Sequence, residues 1–128
     1  MLRYAAVCAF LGATDLVRAR QFFEGLLGLE VVSVDGFALV LRGPNAVIRV
    51  TQVERATHAP YTVLGWDVPD IGGSVAALSG RGLVFSRYPG LVQDQLGIWT
   101  APSGSRIAWF QDPDENVLSI AQHPDPSA

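Results

Sequence analysis

Apolar positions along the chain follow one pattern twice. Asp15-Leu16 through Gly28-Leu29-Glu30-Val31 resembles Asp70-Ile71 through Gly82-Leu83-Val84 at an offset of 54 to 55 residues, and self-similarity at a fixed offset marks a repeated structural unit. Each copy reads as an apolar strand, an Asp, a helix, Gly-Leu and a further apolar strand. The strands ahead of the helices fall at residues 4–11 and 62–68, both short, β-prone and bounded by turn-forming residues. In the first helix Ala19, Phe22, Phe23, Leu26 and Leu27 recur at the spacing of one buried stripe, with Arg18, Arg20, Gln21 and Glu24 mostly outside it. Thr14 and Asp15 stand where a side-chain oxygen caps the first turn, and Gly28 stands where a left-handed residue ends the last. The second helix, roughly residues 70–79, keeps a stripe of Ile71, Val75 and Leu78. Gly72 and Gly73 each cost it about 1 kcal/mol relative to Ala, so tertiary packing has to hold it.

Further strands are predicted at residues 30–34, 37–42 and 46–52, then at 83–88, 106–111 and 117–121, with Asp35-Gly36 as a hairpin signal. The order is βαβββ twice, with an extra segment, residues 89–105, in the second copy. Residues 56–60 lack apolar periodicity and end in a proline, which makes them the linker. The class is therefore α+β, one domain over residues 1–128 built from two modules of about 1–55 and 60–123.

Composition narrows the partners. At 128 residues, 49% apolar and 16% charged, the chain has ample material for one core and too little polarity for intrinsic disorder. Its nine basic residues, all Arg, are dispersed against twelve acids for a net charge of −3, so no basic stripe is present to follow a phosphate backbone and nucleic acid is not an expected partner. Apolar runs break well before the roughly 20 residues that span a bilayer, so no membrane partner is expected either. Arg3 and the apolar residues 4–13 loosely imitate a secretory signal but run straight into the first helix. Cys8, the single cysteine, has no internal disulfide partner, in keeping with a reducing compartment; a cytoplasmic location is the expectation.

Three segments carry a resemblance over nearly the whole chain: Thr14-Asp15-Leu16 with Ala19-Arg20-Gln21-Phe22-Phe23 and Leu27-Gly28-Leu29; Trp66-Asp67-Val68-Pro69-Asp70; and Ala108-Trp109-Phe110-Gln111-Asp112-Pro113-Asp114-Glu115-Asn116. In this order, on a duplicated βαβββ pattern, they resemble the vicinal oxygen chelate superfamily of glyoxalases, fosfomycin- and bleomycin-resistance proteins and extradiol dioxygenases. The resemblance implies two modules whose mixed sheets curl into a ligand-holding cup with helices packed outside, commonly completed by a second chain, hence a homodimer. Glu115 departs from the Gly usual in the Asp-Pro-Asp-Gly-Asn turn, which leaves that turn strained or differently shaped.

Metal-dependent members draw four ligands from His, Gln and Glu, one on the first and one on the last strand of each module. The matching positions here are Cys8, Arg49, Val63 and Ser119, none a normal member of that set, while the two histidines, His58 and His123, fall in the linker and the tail. The expectation is no metal and no cofactor. Arg49 in particular repels a dication. By strand alternation Val47, Arg49 and Thr51 share one face and Ile48 and Val50 the other, against the helix. Arg49 then reads as a fork for a carboxylate, phosphate or carbonyl on a ligand, as a structural partner of Asp67 or a neighbouring acid, or as a plain exposed residue. Cys8 reads as a small core residue and Ser119 as cup lining, since no strand histidine is on hand to activate either. Asp112 and Asp114 read as turn residues rather than paired acid–base carboxylates.

Tyr88, Trp99 and Trp109 belong to or flank the 89–105 segment, which reads as a loop hanging over a pocket. Ile107 and Trp109 share a strand face that the resemblance turns toward the cup together with Phe10. Trp66 shares parity with Leu64 and Val68 and reads as core; Trp109 reads as pocket lining or, alternatively, core or dimer interface. Phe10, Arg49, Val63, Tyr88, Trp99, Ile107, Trp109 and Ser119 are thus the expected ligand-binding residues, with no catalytic residue among them. The leading reading is metal-independent binding of a small apolar or aromatic molecule, in the manner of antibiotic sequestration. The alternatives are a lyase, isomerase or dioxygenase with a non-standard metal site, and a cofactor-free enzyme using Arg49 to stabilise an oxyanion.

Overall fold

The computed structural model describes residues 1–125; residues 126–128, the end of the expected domain, lie outside the described residues. Contacts divide the chain at His58 and Ala59 into two compact units. The first runs β1 (Val7–Ala13), α1 (Leu16–Arg20), a π-helical turn (Gln21–Leu26), β2 (Glu30–Val34), β3 (Ala38–Gly43) and β4 (Ala46–Gln52). The second runs β5 (Leu64–Asp67), α2 (Ile71–Gly80), β6 (Trp99–Thr100), β7 (Arg106–Gln111) and β8 (Val117–Gln122). Each forms a four-stranded mixed sheet with the same topology, β1-β4-β3-β2 and β5-β8-β7-β6, in which only the first pair is parallel.

One face of each sheet is sealed by its helix. In the first unit Leu11, Leu39, Leu41, Ile48 and Val50 are buried with Ala19 and Phe23 from the helix. In the second, Ala108, Phe110, Leu118 and Ile120 are buried with Ile71 and Val75 of α2. Trp66 stacks on Phe110 at 6.4 Å on this face and is half-buried. Asp15 caps α1, its Oδ1 accepting from the amides of Val17 and Arg18 at 3.0 and 3.1 Å, and Asp70 caps α2 through the amide of Gly73 at 3.1 Å. The equivalent glycines after the helices, Gly28 and Gly82, take φ of 77° and 103°, and the following leucine amides bond back to Phe23 O and Leu78 O.

Three sequence expectations need correction. The first strand begins at Val7 rather than residue 4. The first helix is not uniformly α: Leu27 N donates to Phe22 O, an i to i−5 bond that widens the last turn, so Phe23 is fully buried while Phe22, Leu26 and Leu27 are half-buried. Residues 83–88 form no strand; their one ladder-like bond runs from Ser86 N to Trp109 O. The place beside β7 is taken by β6, from within the segment read as a loop, with Trp99 opposite Ile107.

Candidate functional site

The uncovered faces of the two sheets hold most of the residues singled out above. On the first sheet Cys8, Phe10, Val47, Arg49 and Thr51 share a face by register, with Phe10 directly opposite Arg49, while Ile48 and Val50 turn to the helix. Phe10 is 66% exposed and Arg49 is exposed. Cys8 is also exposed, which corrects its reading as a core residue: its face of the sheet has no covering helix. Among the described residues the Arg49 side chain has no hydrogen bond or ion pair. The charge it acts on is Asp35, whose carboxyl lies below its ordinary range mainly because the amides of Phe37 and Ala38 donate to it, with Arg49 adding a smaller pull. Asp67, the alternative partner, is engaged by His123.

On the second sheet the ladder places Val63, Gly65 and Asp67 level with Val117, Ser119 and Ala121, and these level with Gln111, Trp109 and Ile107. Trp99 lies opposite Ile107. Val63, Trp99, Ile107, Trp109 and Ser119 therefore share one face, and Tyr88 joins them: its ring meets Trp109 edge-on at 5.5 Å, while Trp99 lies 6.0 Å from Trp109. Trp99, Ile107 and Trp109 are half-buried, Val63 and Tyr88 are exposed, and Ser119 is buried. Ser119 sits low because the facing residue is Gly65, where a Cβ would come within 2.9 Å of Ser119 Oγ.

The 89–105 segment, which carries Trp99 and follows Tyr88, is tied down by Gln93. Its Oε1 accepts from Tyr88 N at 2.8 Å and its Nε2 donates to Ser86 O and Gly97 O at 3.0 and 2.9 Å. The Arg87 guanidinium donates to Asp94 O and Gln95 O, and Asp94 Oδ1 accepts from Leu96 N and Ile98 N. One surface hollow of about 540 Å³ takes in Trp99 with Gln93, Asp94 and Pro102; another, about 490 Å³, lies between the first helix and Val34. Neither includes Phe10, Arg49, Trp109 or Ser119.

The donor set does not fit a divalent metal. Cys8, Arg49, Val63 and Ser119 occupy the positions that the superfamily resemblance assigns to ligands, and among the described residues no three His, Cys, Asp or Glu side chains come together as a metal site. Asp112 accepts from Asp114 N, Asn116 N and Asn116 Nδ2 at 2.9, 2.9 and 2.8 Å, which is a turn role rather than acid–base chemistry.

One constellation was not read from the sequence. Ser105 Oγ lies 2.8 Å from His123 Nδ1, and His123 Nε2 lies 3.3 Å from Asp67 Oδ1. Treating His123 as a tail residue hid this, although it continues the parity of Ser119 and Ala121 along β8, a signal that was available.

The chain matches no family model and no curated protein. Solved structures do resemble it. A glyoxalase/bleomycin resistance protein from Catenulispora acidiphila superposes with TM-score 0.71 at 19% identity, over 94% of this chain and 99% of that one. A glyoxalase/bleomycin resistance protein/dioxygenase from Alicyclobacillus acidocaldarius gives 0.70 at 18% identity, over 99% and 98%. A lactoylglutathione lyase from Agrobacterium tumefaciens gives 0.68 at 18% identity, over 92% of each chain. Among the described residues no helix is long and apolar enough to cross a membrane. The fold of this chain is accordingly that of the glyoxalase/bleomycin resistance/dioxygenase proteins, the fold of the superfamily its sequence resembles.

Proposed function

We propose that the protein binds a small aromatic or apolar molecule without a metal, on the open face of the second sheet. The observation that carries this reading is the Tyr88–Trp109–Trp99 cluster, in which the Trp109 ring meets both of the others on a face with no covering helix. Rings held at 5.5 to 6.0 Å by a hydrogen-bonded segment present a preformed apolar surface, so binding costs little ordering of side chains. The open face of the first sheet, taken by itself, has Phe10 opposite Arg49, a pairing suited to a carboxylate or phosphate. Antibiotic sequestration is the biological role this reading favours.

A thermal-shift screen with aromatic antibiotics and small aromatic carboxylates tests it, because a ligand that prefers the folded state raises Tm by mass action. Binders should quench tryptophan fluorescence, and Trp109→Ala should weaken them about tenfold, the equivalent of about 1.4 kcal/mol. A chelator should leave the affinity unchanged. Binding that needs an added divalent ion, or that Trp109→Ala leaves untouched, overturns the reading.

A further inference from the structure

We propose that Ser105, His123 and Asp67 form a nucleophile, base and orienting carboxylate that accept an acyl group from a small ester on the open face of the second sheet. The three come from different places in the chain. Ser105 immediately precedes β7, His123 immediately follows β8, and Asp67 ends β5. Arg106 pairs with Gln122, so Ser105 and His123 occupy the next rung, while Asp67 lies level with Ala121, two residues before His123. All three continue the parity of Ile107, Ala121 and Trp109. The polar trio and the aromatic cluster therefore lie on one sheet face, separated along β7 by Ile107.

The contacts define a chemical arrangement. Asp67 Oδ1 lies 3.3 Å from His123 Nε2, on the side where a carboxylate favours a proton on Nε2, and in that neutral tautomer Nδ1 carries the lone pair. That lone pair faces Ser105 Oγ at 2.8 Å, within reach for proton transfer. Side-chain exposure of 53% for His123 and 79% for Asp67 leaves the group open to substrate. An exposed pair of this kind adds little to stability, so holding the fold together does not account for it. The Ser105 amide donates a long 3.4 Å bond to Ser103 Oγ and, so weakly held, can turn to a developing oxyanion. One such donor is less than a preorganised pair provides, which directs the chemistry to activated esters rather than amides.

In the step itself Ser105 Oγ bonds to the ester carbonyl carbon as its proton passes to His123 Nδ1 and the carbonyl electrons move to oxygen. Collapse of this adduct breaks the bond to the leaving alkoxide or phenoxide, which takes the proton from His123. Water then attacks the acyl-serine, again giving its proton to His123, and releases the acid with Ser105 restored. Preference for an aromatic ester rests on the binding reading above; the serine chemistry does not.

An alkyl fluorophosphonate, which carries no aromatic group, reads the serine alone. Phosphorus bonds to Oγ and fluoride leaves. The purified protein should form one adduct, located on Ser105 by peptide fragmentation. Ser105→Ala should lose it; His123→Ala should slow it by about a hundredfold, with imidazole in the buffer restoring part of the rate; and Asp67→Asn should slow it about tenfold. Thermal melts of each variant establish that it is folded. No adduct on the folded wild type, an adduct on Ser103 instead, or an unchanged rate in His123→Ala overturns the proposal. Hydrolysis of p-nitrophenyl acetate against an alkyl thioester then separates the two readings. Labelling of Ser105 with no aromatic preference removes the aromatic face and keeps the nucleophile; aromatic binding with an inert Ser105 does the reverse.

Discussion

Glu115 stands in the left-handed region with φ of 67°, at the position where the resembling turn sequence has Gly. The turn keeps its left-handed shape, and the side chain bears the cost. Glu115→Gly is expected to raise stability by about 1 kcal/mol, read as a rise in the urea midpoint. Beside it, Asp112 is buried, and burial pushes its carboxyl above the ordinary 3.8 against the opposing hydrogen bonds from Asn116 and Asp114. A raised folded value means that protonation favours the folded state. The contribution is therefore present below 3.8 and is lost as pH rises through the folded value. Asp112→Asn should thus compare worst with the wild type near pH 3.5 and regain ground by pH 7 in parallel urea titrations. Asp112→Ala, which leaves buried donors unpaired, should cost about 2 kcal/mol at pH 7 and, lacking the same titrating group, more near pH 3.5. Asp35 has the opposite sign: with its carboxyl held below 3.8 by backbone amides, its contribution is present above that value and lost as pH falls through the folded one.

At the level of elements, the second helix shows why composition alone misjudges a segment. Gly73 weakens the helix, yet a Cβ there would come within 2.5 Å of Asp70 Oδ2, so the residue that costs helix propensity is the one that admits the capping carboxylate. The 89–105 segment makes a related point. Read as a loop because of its Pro and Gly, it contributes β6 and is ordered in large part through Gln93, which answers backbone groups of Ser86, Tyr88 and Gly97, beside Arg87 and Asp94. Gln93→Ala removes all three bonds. The expected result is faster amide exchange at Tyr88 and loss of near-ultraviolet circular dichroism from Trp99 and Trp109, with the core exchange of β3 and β4 unchanged. Retention of the tryptophan signal would show that β6 pairing alone fixes the rings. The π-helical turn was beyond reach of a periodicity argument, since it rests on which carbonyl Leu27 N selects, Phe22 O here.

For the whole molecule, a homodimer follows as a proposal from the fold and from the large apolar residues left at the surface, Phe10, Phe37, Val63 and Val84 among them. Sedimentation at micromolar concentration should give twice the chain mass; a monomer there removes the idea. Caps, terminating glycines, the βαβββ repeat and the facing of Val47, Arg49 and Thr51 were legible in the chain, because each depends on residues within a few positions of one another: a carboxylate meeting the next turn's amides, a Cβ-free residue accepting positive φ, side chains alternating along an extended backbone. The approach of Ser105 to His123 was not, for it spans 18 residues of chain and exists only once β7 and β8 take their register. Nor was the recruitment of Trp99 to a sheet edge, which follows from Gln93 satisfying backbone groups that no local pattern identifies. Local chemistry settles what each segment becomes; which distant side chains then meet depends on register, and register is chosen by burial of a whole face at once.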